Sequence, residues 1–102
     1  FNSKRFAELT WAPPPKDGGS KITGYIVEKR QYGSDYWIKA LPYSTPDSTC
    51  LVTDLIDNSE YEFRVKAVNK AGESEPSGST GKVKITEYPG KFNSFKKFII
   101  IF

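Results

Sequence analysis

Asp54, Asp57 and Glu60 are the carboxylates whose spacing best suits shared chemistry, since three acidic side chains within seven residues can hold a hard cation through oxygen ligands. No full calcium-loop pattern surrounds them, so a solvated turn is the preferred reading and no metal site is expected. Gly18-Gly19-Ser20-Lys21 resembles a phosphate cradle only in composition. It lacks the G-x-x-x-x-G-K-S/T spacing and leads into a strand-forming run instead of a helix, so it reads as a turn. The chain has no histidine and a single cysteine, Cys50, which removes the usual general base and the usual soft metal ligands. Catalysis would fall to carboxylates or lysines, and the 12 Asp and Glu residues are spread along strands and turns. No catalytic residue, no cofactor and no enzymatic activity are expected. There is also no Arg-Gly-Asp adhesion triplet.

What remains is chemistry of contact. In Tyr61–Gly72, Tyr61, Phe63, Val65 and Ala67 alternate with Glu62, Arg64 and Lys66, the period-two pattern of an antiparallel strand with one face in the core. Val68 is the one mismatch, and Gly72 ends the run. Glu28 and Arg30 face outward on a second strand. Opposite charges across strands contribute about 0.2–1 kcal/mol each. Trp37 is expected over this charged face, where Arg64 or Lys66 can stack on its ring. It either shields the sheet edge, the preferred reading, or anchors a protein partner with Arg64 and Lys66, a role in which tryptophan is enriched.

Strands must position these residues. Ala7, Leu9 and Trp11 form the buried face of a short strand that Pro13-Pro14-Pro15 stops. Residues 22–30 read as a central strand with Tyr25 and Val27 inward and Ile26, Glu28 and Arg30 outward. Residues 36–41 follow a Gly33-Ser34-Asp35 turn and read as a shorter, more exposed strand. Cys50, Val52 and Leu55 give another buried face, with Thr53 and Asp54 near its end. The turn Asp57-Asn58-Ser59 precedes Tyr61, residues 73–80 read as a loop, and residues 81–87 return as a strand with Val83 and Ile85 inward. Six strand candidates and no helix predict an all-β, immunoglobulin-like two-sheet antiparallel sandwich.

At 102 residues the chain makes one domain, and its 15 aromatic residues are ample for one core. The net charge of +3 resides in Lys91, Lys96 and Lys97, leaving residues 1–90 balanced at 12 basic and 12 acidic side chains. A basic binding face is therefore not expected, and neither is nucleic acid as a partner. Cys50 cannot form an internal disulfide, and none of the four asparagines starts an Asn-X-Ser/Thr acceptor. Both facts lean toward a reducing, intracellular home. No apolar run reaches the ~18 residues needed to span a bilayer, so no membrane association is expected.

With the strands placed, residues 6–88 resemble the fibronectin type III module. Leu9 to Pro14 (LTWAPP) is similar to the family's second strand, and residues 18–30 (GGSKITGYIVEKR) to its third. Leu55 followed by Tyr61 is similar to the tyrosine corner, in which the phenol bonds to upstream backbone. The resemblance implies a core built on Leu9, Trp11, Tyr25, Val27, Leu55, Tyr61, Phe63, Val65 and Ala67, in a domain spanning residues 6–90. The wording is most similar to modules of giant muscle proteins of the titin and twitchin type. That implies a structural, protein-binding link in a cytoplasmic, sarcomeric scaffold, with neighbouring immunoglobulin-like and fibronectin type III domains and filament-associated proteins as partners. Such proteins can carry a kinase as a separate domain. The alternative is an extracellular adhesion or receptor module that binds a protein ligand. Two departures stand out. Only six residues precede Ala7, too few for a complete first strand, which would leave the second strand with an open edge. Residues 91–102, basic and apolar, are expected to lie outside the domain. A boundary artefact is the preferred origin of this tail, ahead of a linker or a surrogate edge strand, and its FIIIF end is an aggregation hazard if exposed.

Overall fold

The computed structural model describes residues 4–15, 19–85 and 96–102, and among these every regular element is a strand. One sheet contains β1 (Lys4–Trp11), β4 (Thr49–Ile56) and β8 (Lys96–Ile100) in the order β4-β1-β8. The other contains β2 (Gly24–Gln31), β3 (Ile38–Lys39), β5 (Glu60–Asn69) and β6 (Gly72–Glu73) in the order β3-β2-β5-β6, with β7 (Val83–Lys84) also paired to β5. The two sheets give the sandwich expected from the alternation of their strands.

The sheets meet over a core that contains all nine of the side chains expected there: Leu9, Trp11, Tyr25, Val27, Leu55, Tyr61, Phe63, Val65 and Ala67. Ala7, Val52, Ile85 and Ile100 complete it. Burying a side chain the size of Phe63 or Leu9 contributes about 1.5–3 kcal/mol. Trp11 meets the Tyr25 ring edge-on at 5.4 Å, the favoured arrangement of aromatic quadrupoles. Cys50 packs at the margin of this core, half-buried.

Val52 and Leu55 are both fully buried although three positions apart, which an unbroken strand would forbid. The pairing explains it. Between Arg5↔Leu55 and Ala7↔Val52, β4 advances three residues while β1 advances two, so β4 carries a bulge. Asp54, at φ 62°, takes the left-handed backbone of that extra residue, a conformation aspartate accepts more readily than most residues.

Residues 74–80, expected to be a loop, instead continue the sheet beside β5 by an unusual route. Ser74, Ser77 and Thr80 donate their backbone N–H to the carbonyls of Ala67, Val65 and Phe63 at 2.8, 2.8 and 3.0 Å. Their hydroxyls accept the N–H of the same three residues at 2.8, 2.9 and 3.2 Å. A three-residue period thus satisfies a two-residue one, with side-chain oxygens standing in for carbonyls. Buried backbone groups require such partners.

Two other elements differ from expectation. The strand expected over residues 36–41 is reduced to β3 at the sheet edge, and Ala40 adds one bond to the Val27 carbonyl at 2.8 Å. The tail, expected outside the domain, is described from Lys96 onward and there forms β8, parallel to β1 from Ala7↔Lys96 to Trp11↔Ile100. An edge strand exposes unpaired N–H and C=O groups that any extended segment can meet. Phe98 and Ile100 cover apolar surface at the same time. Residues 86–95, which include the rest of the tail and the end of the expected last strand, lie outside the described residues.

Candidate functional site: the charged face of the five-stranded sheet

The outward face of β2 and β5 gathers the charged residues singled out in the sequence. Their register sets Glu28 opposite Arg64 and Arg30 opposite Glu62, so each cation has an anion directly across the strand gap. Arg64 Nε donates to Glu28 Oε1 at 2.7 Å, and Arg30 Nε to Glu62 Oε1 at 2.8 Å. Lys66 Nζ lies 3.7 Å from both Glu28 Oε2 and Glu73 Oε1, extending the ladder to β6. Glu62 points outward yet is almost fully covered, and its Oε2 accepts the Ser79 hydroxyl at 3.1 Å.

Trp37 sits on this ladder. The guanidinium carbons of Arg64 and Arg30 lie 4.3 and 4.6 Å from its ring centroid, within cation–π range of both. The expected partner Arg64 is joined by Arg30, whereas Lys66 is engaged with Glu28 and Glu73. Trp37 stays half-buried, and the residues around it are open: Tyr36 is 78% exposed and Ile38 56%. Tyr32, with Lys82 Nζ 5.1 Å from its ring, adds another exposed aromatic. Sequence reasoning named Trp37, Arg64 and Lys66 but not this aromatic fringe. The signal was the apolar Tyr36 and Ile38 at and just before the short edge strand β3, where little of the sheet can cover them.

The face brings together paired charges and an indole ring. Among the described residues, no group of three or more His, Cys, Asp or Glu converges to hold a metal ion. Glu60 faces Lys82 Nζ at 3.6 Å, and the Asp54 carboxylate accepts the Thr53 hydroxyl at 3.3 Å. Burial pushes the Cys50 thiol up to about 11, away from the reactive thiolate. Gly19, at φ 88°, forms a turn ahead of β2, as expected of that segment, while Gly18 lies outside the described residues. No helix long and apolar enough to cross a membrane occurs among the described residues. Tyr61 takes the corner position, its hydroxyl accepting the Ile56 N–H at 3.1 Å.

Comparison with known proteins agrees with this architecture. The family model described as "Fibronectin type III domain" matches residues 2–81. Fast-type myosin-binding protein C of Gallus gallus is 45% identical over 75 residues, which cover 74% of this chain and 7% of that protein. A titin homolog of Caenorhabditis elegans is 37% identical over 68 residues, or 67% of the chain, and this chain spans only a small fraction of either relative. Among solved structures, the twitchin kinase region of C. elegans aligns with a TM-score of 0.75 at 34% identity, covering 80% of this chain and 14% of that one. The structure of titin kinase and its flanking domains aligns with a TM-score of 0.73 at 39% identity, covering 82% of this chain and 15% of that one.

Proposed function

This chain belongs to the fibronectin type III family, and we propose that it serves as a non-catalytic structural and protein-binding module of a tandem-repeat sarcomeric scaffold. Its neighbours are then further fibronectin type III and immunoglobulin-like domains, and its other partners are filament-associated proteins in the cytoplasm. The mechanism is geometric. A sandwich whose sheets are locked by a filled core holds its surface in fixed orientation, and a series of such units sets that surface at fixed intervals along a filament.

The observation that carries the binding role is Trp37 held over two guanidiniums on an outward sheet face, fringed by exposed Tyr36 and Ile38. Aromatic residues and arginine dominate the energetic centres of protein interfaces, and a ring fixed before binding loses little entropy on association. The charges of the ladder are already paired, so a partner need not neutralise them.

The test is the distribution of the fluorescently tagged chain in cultured striated muscle cells. Periodic banding along the filaments is expected, and Trp37→Ala with Arg64→Glu should make it diffuse while the purified variant keeps its β-sheet circular dichroism. A diffuse distribution of the unchanged chain would count against the reading.

A further inference from the structure

The edge of β1 away from β4 is filled by a segment from the far end of the chain. Parallel strands cannot be joined by a tight hairpin, and β2 to β7 all lie between β1 and β8 in sequence, so β8 meets this edge without a local turn to fix it there, as an extended peptide would. The other strands make most of the core by themselves: among the described residues, Ile100 is the only buried hydrophobic one that comes from β8.

What β8 presents is an alternating pattern. Inward, Phe98 stacks at 6.4 Å on Phe63, Ile100 is 2% exposed, and the Phe102 ring beyond the strand end lies 6.3 Å from Tyr25. Outward, Ile99 and Ile101 are each 75% exposed. The Ile101 carbonyl accepts the Gly78 N–H at 3.1 Å, which ties the segment to the opposite sheet.

The fit is incomplete at one end. A cleft of about 500 Å³ opens between Trp11, Pro13, Pro15 and the Ile99–Phe102 segment. Trp11, the register partner of Ile100, also carries a buried indole N–H that has no hydrogen-bond partner among the described residues. A strand that leaves space and an unpaired buried donor beside it is held less firmly than β2 or β5.

We propose that the β1 edge is a strand-addition site for an extended apolar peptide with a large side chain at every second position, and that the chain's own Phe98–Phe102 segment is its resident, displaceable occupant. Main-chain pairing supplies affinity, and the pockets for alternate side chains supply selectivity. The site lies on the sheet opposite Trp37 and is independent of the surface proposed above. Tethering gives the resident segment an effective concentration in the ~mM range, so a competing peptide gains access only when the resident is weakened.

The experiment uses the full chain and a fluorescent synthetic peptide of residues 95–102. Ile100→Asp in the chain places a carboxylate in the core and weakens the resident strand. Anisotropy should then show the peptide bound at least tenfold more tightly (~10-fold or more) than by the unchanged chain, and a peptide carrying the same Asp should not bind. Equal binding by both chains, or none by an I100D chain that keeps its β-sheet spectrum, overturns the proposal. Should I100D unfold, the register offers a second measurement, because Thr10 and Ile99 are Cα partners. A chain with Cys50→Ser, Thr10→Cys and Ile99→Cys should close an intrachain disulfide under mild oxidation, and excess peptide added beforehand should lower its yield. No disulfide, or a yield the peptide does not change, also overturns it.

Discussion

The backbone N–H of Ile56 donates to the phenol oxygen of Tyr61 at 3.1 Å, joining the last residue of β4 in one sheet to the start of β5 in the other. The intervening turn is clamped from its other side, where Asn58 N–H donates to the Ile85 carbonyl at 2.6 Å and Ile85 N–H to the Ser59 carbonyl at 2.9 Å. The crossover between sheets is thus fixed by three bonds from two elements. Tyr61→Phe keeps the ring stacked on Phe63 at 6.1 Å and removes only the acceptor. An orphaned, part-buried N–H costs about 1–3 kcal/mol. Urea denaturation should show a loss at the lower half of that range, and the Ile56 amide should exchange faster. Tyr32→Phe, on an exposed residue, should change neither.

The hydroxyl of Ser77 is the most buried member of the series that caps β5. Ser77→Ala leaves the Val65 N–H without its 2.9 Å partner inside the sandwich, while the Ser77 backbone bond to the Val65 carbonyl persists. A destabilisation of about 1–2 kcal/mol is expected by chemical denaturation. Ser77→Thr, which restores the oxygen, should recover most of it. Full stability of the alanine variant would mean that the backbone bond alone holds this segment.

How much of this was legible follows from which physics each element uses. β5 announces itself because every second residue from Tyr61 to Ala67 is apolar and the rest are charged, so the pattern and the packing coincide. The bulge in β4 was present as the three-residue step between Val52 and Leu55, which only the pairing with β1 turns into a conformation. The Ser74-Ser77-Thr80 spacing was hidden because hydroxyl-rich, proline-containing stretches usually mark loops, and their use as ladder acceptors depends on β5 lying alongside. β8 was misassigned for a different reason. Phe98, Ile100 and Phe102 face inward while Ile99 and Ile101 face out, yet all five are apolar, so alternation leaves no trace in composition. Its place depends on pairing with β1, far away in sequence. The site was half visible: charge alternation located Arg64 and Lys66, whereas the joint hold of Arg30 and Arg64 on Trp37 is a property of register.

Cys50 offers a check on burial that needs no stability measurement. Its thiol is raised from 9.0 to about 11 by desolvation. The thiolate population at pH 8, and with it the rate of alkylation by iodoacetamide, should be about a hundredfold below that of the urea-unfolded chain. The sign of the linkage follows. A folded-state value above the unfolded one favours the neutral thiol, so this contribution is complete below pH 9 and is lost as pH rises toward 11. Tyr25, also raised by burial, acts in the same direction. Stability should therefore decline on the alkaline side, and Cys50→Ala should reduce that slope. Equal alkylation rates in the folded and unfolded chain would place the thiol in water.

The stack of Trp37 on Arg64 separates rigidity from recognition. Cation–π contacts at partly exposed positions contribute about 0.5–1 kcal/mol each. A double-mutant cycle of Trp37→Ala and Arg64→Ala should return a coupling energy in that range by denaturation. Arg64→Ala alone should cost more than the coupling, because Glu28 then keeps only the 3.7 Å contact with Lys66. Trp37→Phe tests the ring itself: it retains an aromatic face but presents a smaller area to the two guanidiniums, so it should keep roughly half of the coupling. Zero coupling would show that the indole rests on the ladder without being held by it. A partner would then have to order the ring at its own entropic cost, and the face would be a weaker docking surface than its composition suggests.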